Sequence, residues 1–91
     1  MQFEETPLKG CYVIRTTPFV DHRGAFARLF CERELKQVIG DRKIVNVNFS
    51  RTAKRGAIRG MHFQYPPMAE MKFVRCTFGS VYDVVIDIRE N

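Results

Sequence analysis

The chain has 91 residues, with 15 lysines and arginines against 10 aspartates and glutamates, for a formal net charge of +5. That length holds one domain at most and limits the core it can bury, while the positive balance suits an anionic ligand such as a phosphate, nucleotide or nucleic acid, with a solvated surface accounting for much of the charge. Cys11, Cys31 and Cys76 are odd in number and widely spaced with no Cys-x-x-Cys, a pattern that points away from a disulfide framework and a zinc site and towards reduced thiols.

The amino terminus, "MQFEETPLKG", carries acids where a signal peptide carries bases followed by an apolar run. No apolar stretch approaches the roughly 18 residues of a membrane span. The expectation is a soluble, unexported, cytoplasmic chain with no membrane partner. Its apolar residues mostly recur with period two and are interrupted at Pro7, Gly10, Pro18, Gly24, Gly40, Gly56, Gly60, Pro66, Pro67 and Gly79. Short strands between frequent turn residues predict an all-β sandwich or barrel.

In chain order, the first cluster with chemical potential is "DHRGAF", 21–26. Arg23 precedes a glycine turn, and Phe26 and Phe30 follow. Arginine suits bidentate phosphate contacts and an aromatic ring can stack on a base or sugar, although an arginine before a hairpin glycine is common without any function. The next segment, "CERELKQVIG", 31–40, places Leu35, Val38 and Ile39 at helical spacing among charged helix formers and ends on glycine. It predicts one short helix near residues 32–39.

A strand is predicted at 59–64, within "RGAIRGMHFQYPP". Alternate side chains of a strand share a face, so Gly60, His62 and Gln64 look one way and Arg59, Met61 and Phe63 the other. Gly60 leaves room beside the imidazole for a ligand. The competing reading is a histidine held by a backbone group or carboxylate inside a barrel.

A second strand is expected at 71–78, "MKFVRCTF", with Lys72 on the otherwise apolar face of Val74, Cys76 and Phe78. Such a lysine pairs with an acid or points at a substrate charge. A third is expected at 80–88, "SVYDVVIDI", where Asp83 and Asp87 share a face. Asp87 is expected at the solvent, and Asp83 is a partner for Lys72 across neighbouring strands, an orienting or structural role. A run this rich in Val and Ile calls for neighbours on its edges, so the sequence reads as one partial domain, 1–91, that ends partway through a sheet. Neither a converging set of metal ligands, a phosphate-binding glycine loop, a serine elbow nor an RNA-recognition aromatic motif is present, and no metal is expected.

Taken together, "FVDHRGAFARLF", "NVNFS", "RGAIRGMHFQ" and "AEMKFVRCTFGSVYDVVIDIR", in that order, resemble the amino-terminal half of the dTDP-4-dehydrorhamnose 3,5-epimerase family. The resemblance implies a cupin-type jelly roll, a homodimer formed by strand exchange, no cofactor, and a dTDP-4-keto-6-deoxy sugar as substrate, in dTDP-rhamnose synthesis for polysaccharides. It implies that His62 is the catalytic base and that Arg23, Asn48, Arg59 and Lys72 contact the nucleotide sugar. Asn46 stands where the family commonly has glutamine. Lys72 is also the expected stabiliser of the enolate left by proton removal. Arg28 falls where many members have a substrate-contacting glutamate, and Phe49 replaces a histidine. The resemblance further implies a tyrosine acid and a base-orienting aspartate from the family's second half, a role that neither Tyr65 nor Tyr82 fills.

Two other readings stand beside the epimerase. One is a non-catalytic module that binds sugar nucleotides or mediates oligomerisation. The other is a small basic β-barrel using Arg51, Lys54 and Arg55 on nucleic-acid phosphates. No nucleic-acid partner is expected, because the aromatic residues form no recognisable stacking platform.

Overall fold

In the computed structural model, which describes residues 1–90, the regular elements are four short strands and one helix. Strands β1 (Gln2–Glu5) and β2 (Tyr12–Arg15) pair antiparallel, with Gln2 opposite Arg15 and Glu5 opposite Tyr12. Their loop is closed by Thr6, whose Oγ1 donates to the carbonyls of Cys11 and Leu8 at 2.8 and 3.1 Å. The Cys11 N–H donates to the Leu8 carbonyl at 3.0 Å. Gly10, at φ 86°, supplies the left-handed turn that Leu8 and Lys9 beside it would adopt only with strain. Across the hairpin, Glu4 accepts from Arg15 Nε at 2.8 Å, a diagonal contact on one face of the pair.

Strands β3 (Phe19–Asp21) and β4 (Gly24–Phe26) form a second antiparallel hairpin with a two-residue loop, His22 and Arg23. Neither loop residue has positive φ, so the hairpin does not use the mirror-image turns that usually suit two-residue loops. An aspartate side chain supports the turn instead. Asp21 Oδ1 accepts the Arg23 backbone N–H at 2.8 Å, the local arrangement that makes Asp a turn residue.

Helix α1 (Glu32–Ile39) lies where the 3.6-residue spacing predicts it. Leu35 and Ile39, one turn apart, are its buried residues, at 3% and 8% exposure, and are the buried apolar core among the described residues. Gly40 ends the helix at φ 62°, with its N–H donating to the Lys36 carbonyl at 2.8 Å. Glu32 and Glu34 occupy the first turn, where carboxylates complement the helix dipole.

Eight residues make a marginal helix on their own, and α1 is tied down by Glu34. Its Oε1 accepts from the Met1 amino group at 2.9 Å and its Oε2 from Arg28 at 3.1 Å. These hydrogen bonds, the one from the amino terminus first, together with one involving Cys31, hold the Glu34 carboxyl down to about 2 from an ordinary 4.5. A folded-state pKa below the unfolded one makes this stabilisation complete above pH about 4.5 and loses it as the pH falls through about 2. The helical signal of α1, followed by circular dichroism, is expected to hold to pH about 4.5 and to decline towards pH about 2. In Glu34→Gln that acid limb should disappear.

The chain divides into two units, Met1–Val47 and the segment from Asn48 onwards. The first contains all five regular elements. In the second, turns close at Lys54–Ala57 and Tyr65–Met68, with N–H to carbonyl distances of 3.4 and 2.9 Å. The strands expected at 59–64, 71–78 and 80–88 are not formed: among the described residues no ladder joins these segments to one another or to β1–β4. The physical reason is that a strand needs a partner for its N–H and C=O groups, and these segments have none. Every described residue from Gly40 on is exposed, Phe78 to 98% and Tyr82 to 95%. Strands with one short helix are therefore the observed composition of the fold, with the strands confined to the first 26 residues.

Candidate functional site

Without a ladder, the segment around His62 is irregular. Phe63 and Tyr65 meet edge to face, with ring centroids 5.0 Å apart and planes at 81°. His62 folds back over Gly60: a Cβ built on that glycine would lie 3.4 Å from the imidazole Nδ1 and 3.7 Å from Cε1. Gly60 also sits at φ 104°, a conformation that side chains resist. Glycine at 60 thus sets the path of the chain, and the room expected beside it for a ligand is taken by the imidazole itself.

Arg59 is held by the loop that precedes it. Its guanidinium donates from Nη1 to the Ser50 hydroxyl and from Nη2 to the Arg51 carbonyl at 3.1 Å. Both contacts use donors of a group with five N–H bonds, leaving others for an anion. Ser50 lies inside the "NVNFS" block but was not among the expected site residues, since nothing in the pattern of that block shows which arginine its hydroxyl meets.

Lys72 does not form the expected pair with Asp83. Its Nζ lies 3.9 Å from Glu70 Oε1, and both side chains are about half exposed. Glu70 is near enough in sequence for a purely local contact, whereas Asp83 would require the cross-strand register that is absent. Among the described residues no hydrogen bond or ion pair joins His62, Lys72 and Asp83 to one another.

In the first unit, Arg23 is clamped to Asp21: Nη2 lies 2.6 Å and Nε 3.2 Å from Oδ2, and Nε lies 3.4 Å from Oδ1. The hydrogen bonds from the Arg23 side chain and backbone hold the Asp21 carboxyl below the ordinary range. Arg28, at the position where the resemblance implies a glutamate, is directed at Glu34 of α1. Asn46 is exposed in the irregular segment that follows α1. Asn48, also exposed, begins the second unit. An open groove of about 240 Å³ beside α1 is lined by Phe30, Glu32, Ile39, Arg42, Lys43 and Ile44 and includes none of the expected site residues. Among the described residues no three His, Cys, Asp or Glu side chains group as a metal site, and no helix is long and apolar enough to cross a membrane.

Comparison with known proteins adds an independent line. The family pattern described as dTDP-4-dehydrorhamnose 3,5-epimerase matches residues 5–91. A dTDP-4-dehydrorhamnose 3,5-epimerase of Sinorhizobium fredii is 38% identical over 89 residues, covering 98% of this chain and 46% of that protein. The Streptomyces griseus enzyme of the same name is 40% identical over 83 residues, 90% of this chain and 41% of its own length. That of Escherichia coli is 36% identical over 92 aligned residues, 100% of this chain and 49% of the relative. The chain spans about half the length of the curated relatives it matches. No solved structure matches it.

Proposed function

The chain belongs to the dTDP-4-dehydrorhamnose 3,5-epimerase family, and from that premise we propose that it supplies the base and the anion-binding residues of an epimerase acting on a dTDP-4-keto-6-deoxy sugar. The observation that carries this reading is the arrangement at 59–62: an exposed imidazole packed on Gly60, next to an arginine already held by Ser50 and the Arg51 carbonyl.

Hydrogens on the carbons flanking a ketone are weakly acidic. His62 removes one of them as a neutral imidazole, the side chain best suited to exchange a proton near neutral pH. The electron pair moves into the ring as an enolate, and the negative charge that develops on the ketone oxygen is met by the Lys72 ammonium. Return of a proton to the opposite face inverts the carbon. Arg23 and Arg59 bind the diphosphate, and Asn46 and Asn48 add polar contacts to the nucleotide sugar.

The segments 71–78 and 80–88 are read as strands of a cupin-type jelly roll that pair with partners beyond the two hairpins, in a homodimer with exchanged strands. The support is physical: Val81, Val84, Val85, Ile86 and Ile88 are 55–68% exposed, and an apolar run with unpaired edges is stable only when covered. A second reading is a sugar-nucleotide-binding module without turnover. Deuterium uptake beside the substrate ketone separates the two, since a binding module gives none.

A further inference from the structure

We propose that Asp21 is a positioning residue that presents Arg23 to the diphosphate of the ligand. The inference rests on the assignment of Arg23 to that diphosphate. One carboxylate, at the end of β3, grips the same arginine twice: Oδ1 takes its backbone N–H at 2.8 Å and the carboxylate takes its Nε and Nη2 at distances down to 2.6 Å. The first contact fixes the turn and the second fixes the side chain that the turn carries.

A guanidinium has five N–H donors. Asp21 occupies the Nε–H and one Nη2–H, so the second Nη2–H and one Nη1–H remain side by side on the end edge of the guanidinium, and the other Nη1–H points back along the side chain. Two parallel donors on one edge match two oxygens of a phosphate. Arg23 is 79% exposed, so that edge is open to a ligand. A long side chain that is already ordered loses less freedom on binding than a mobile one.

Electrostatics alone predicts the reverse effect. A carboxylate beside the arginine lowers the local positive potential and competes with the ligand, so its removal, which raises the formal charge of the chain from +5 to +6, should tighten anion binding. Positioning predicts that removal weakens it. The sign of the change decides between them.

The test uses the whole chain, its 15N-labelled form, and dTDP as the probe. In Asp21→Asn the amide oxygen can still accept the Arg23 N–H, so the β3–β4 amide signals should persist, while the Arg23 Nε–H signal, distinct and slow to exchange with solvent in the wild type, should collapse to the position of free arginine. Binding of dTDP by calorimetry should weaken about fivefold, the scale of losing a preordered charge-assisted contact. Glu4→Gln, which breaks an exposed carboxylate–guanidinium pair of similar length on the other hairpin, should leave it within about twofold. Unchanged or tighter dTDP binding in Asp21→Asn overturns this inference alone, as does a wild-type Arg23 Nε–H indistinguishable from free arginine. A wild type that holds the ordered Nε–H signal but does not bind dTDP overturns the diphosphate assignment, and the ligand part of the inference with it.

Discussion

Replacing His62 by alanine is expected to lower deuterium uptake beside the substrate ketone by about a hundredfold or more, the usual contribution of a positioned general base, with dTDP affinity changed by less than about twofold. The two effects separate because of where the ring sits. It lies over Gly60, while the aromatic contact of the segment is made by Phe63 and Tyr65. Truncating an exposed imidazole removes the proton acceptor without opening a cavity or leaving a buried group unpaired, so the fold has no mechanism for a large loss. A parallel fall in exchange and in dTDP affinity would instead make His62 a structural residue. The two quantities, followed by proton NMR and calorimetry on one preparation, give the answer directly.

Lys72→Ala is expected to lower the same exchange by about a hundredfold to a thousandfold, the range for removing one preorganised group from a developing oxyanion. The ammonium is free to serve: its neighbour Glu70 stands 3.9 Å away and both are about half exposed, a pair of the kind that contributes little to stability. Breaking it should leave thermal unfolding nearly unchanged. Arginine at the position keeps the charge but spreads it over a planar fork, so Lys72→Arg should recover binding of dTDP better than exchange. Full exchange activity in Lys72→Ala would assign the enolate to another cation.

The parts of the fold legible in the sequence are those decided within a few residues. Leu35, Val38 and Ile39 mark one face of a helix and Gly40 marks its end, and α1 has those bounds. The glycine after Arg23 marks a hairpin, and β3 and β4 flank it. At 60–65 the alternation expected of a strand gives way to local contacts, His62 on Gly60 and Phe63 on Tyr65. The strands at 59–64, 71–78 and 80–88 were not legible, because a strand is a relation between two segments and the residues of one say only that it would accept a partner.

The site divides the same way. The cations themselves were legible, since arginine and lysine among apolar or glycine residues invite explanation. Their partners were not: Lys72 meets Glu70 instead of Asp83, Arg59 meets Ser50, and Arg28 meets Glu34. One signal could have found Asp21. The spacing Asp-x-Arg occurs at 21–23 and again at 87–89, and both times Oδ1 accepts the backbone N–H two residues on while the guanidinium folds back onto the carboxylate. For Asp87 those contacts bring its carboxyl down to about 2. A turn that both accepts a backbone hydrogen and pairs a charge needs only that spacing.

The central claim is that His62 and its neighbours form a base able to remove a hydrogen next to a sugar ketone. Incubating the chain with dTDP-4-keto-6-deoxyglucose in deuterated water, and following the ring hydrogens beside the ketone by proton NMR, tests it most directly. The account predicts loss of those signals faster than in a protein-free control and at the control rate with His62→Ala. Signals that persist at the control rate, with a chain that binds dTDP, would contradict it and leave the binding module in its place.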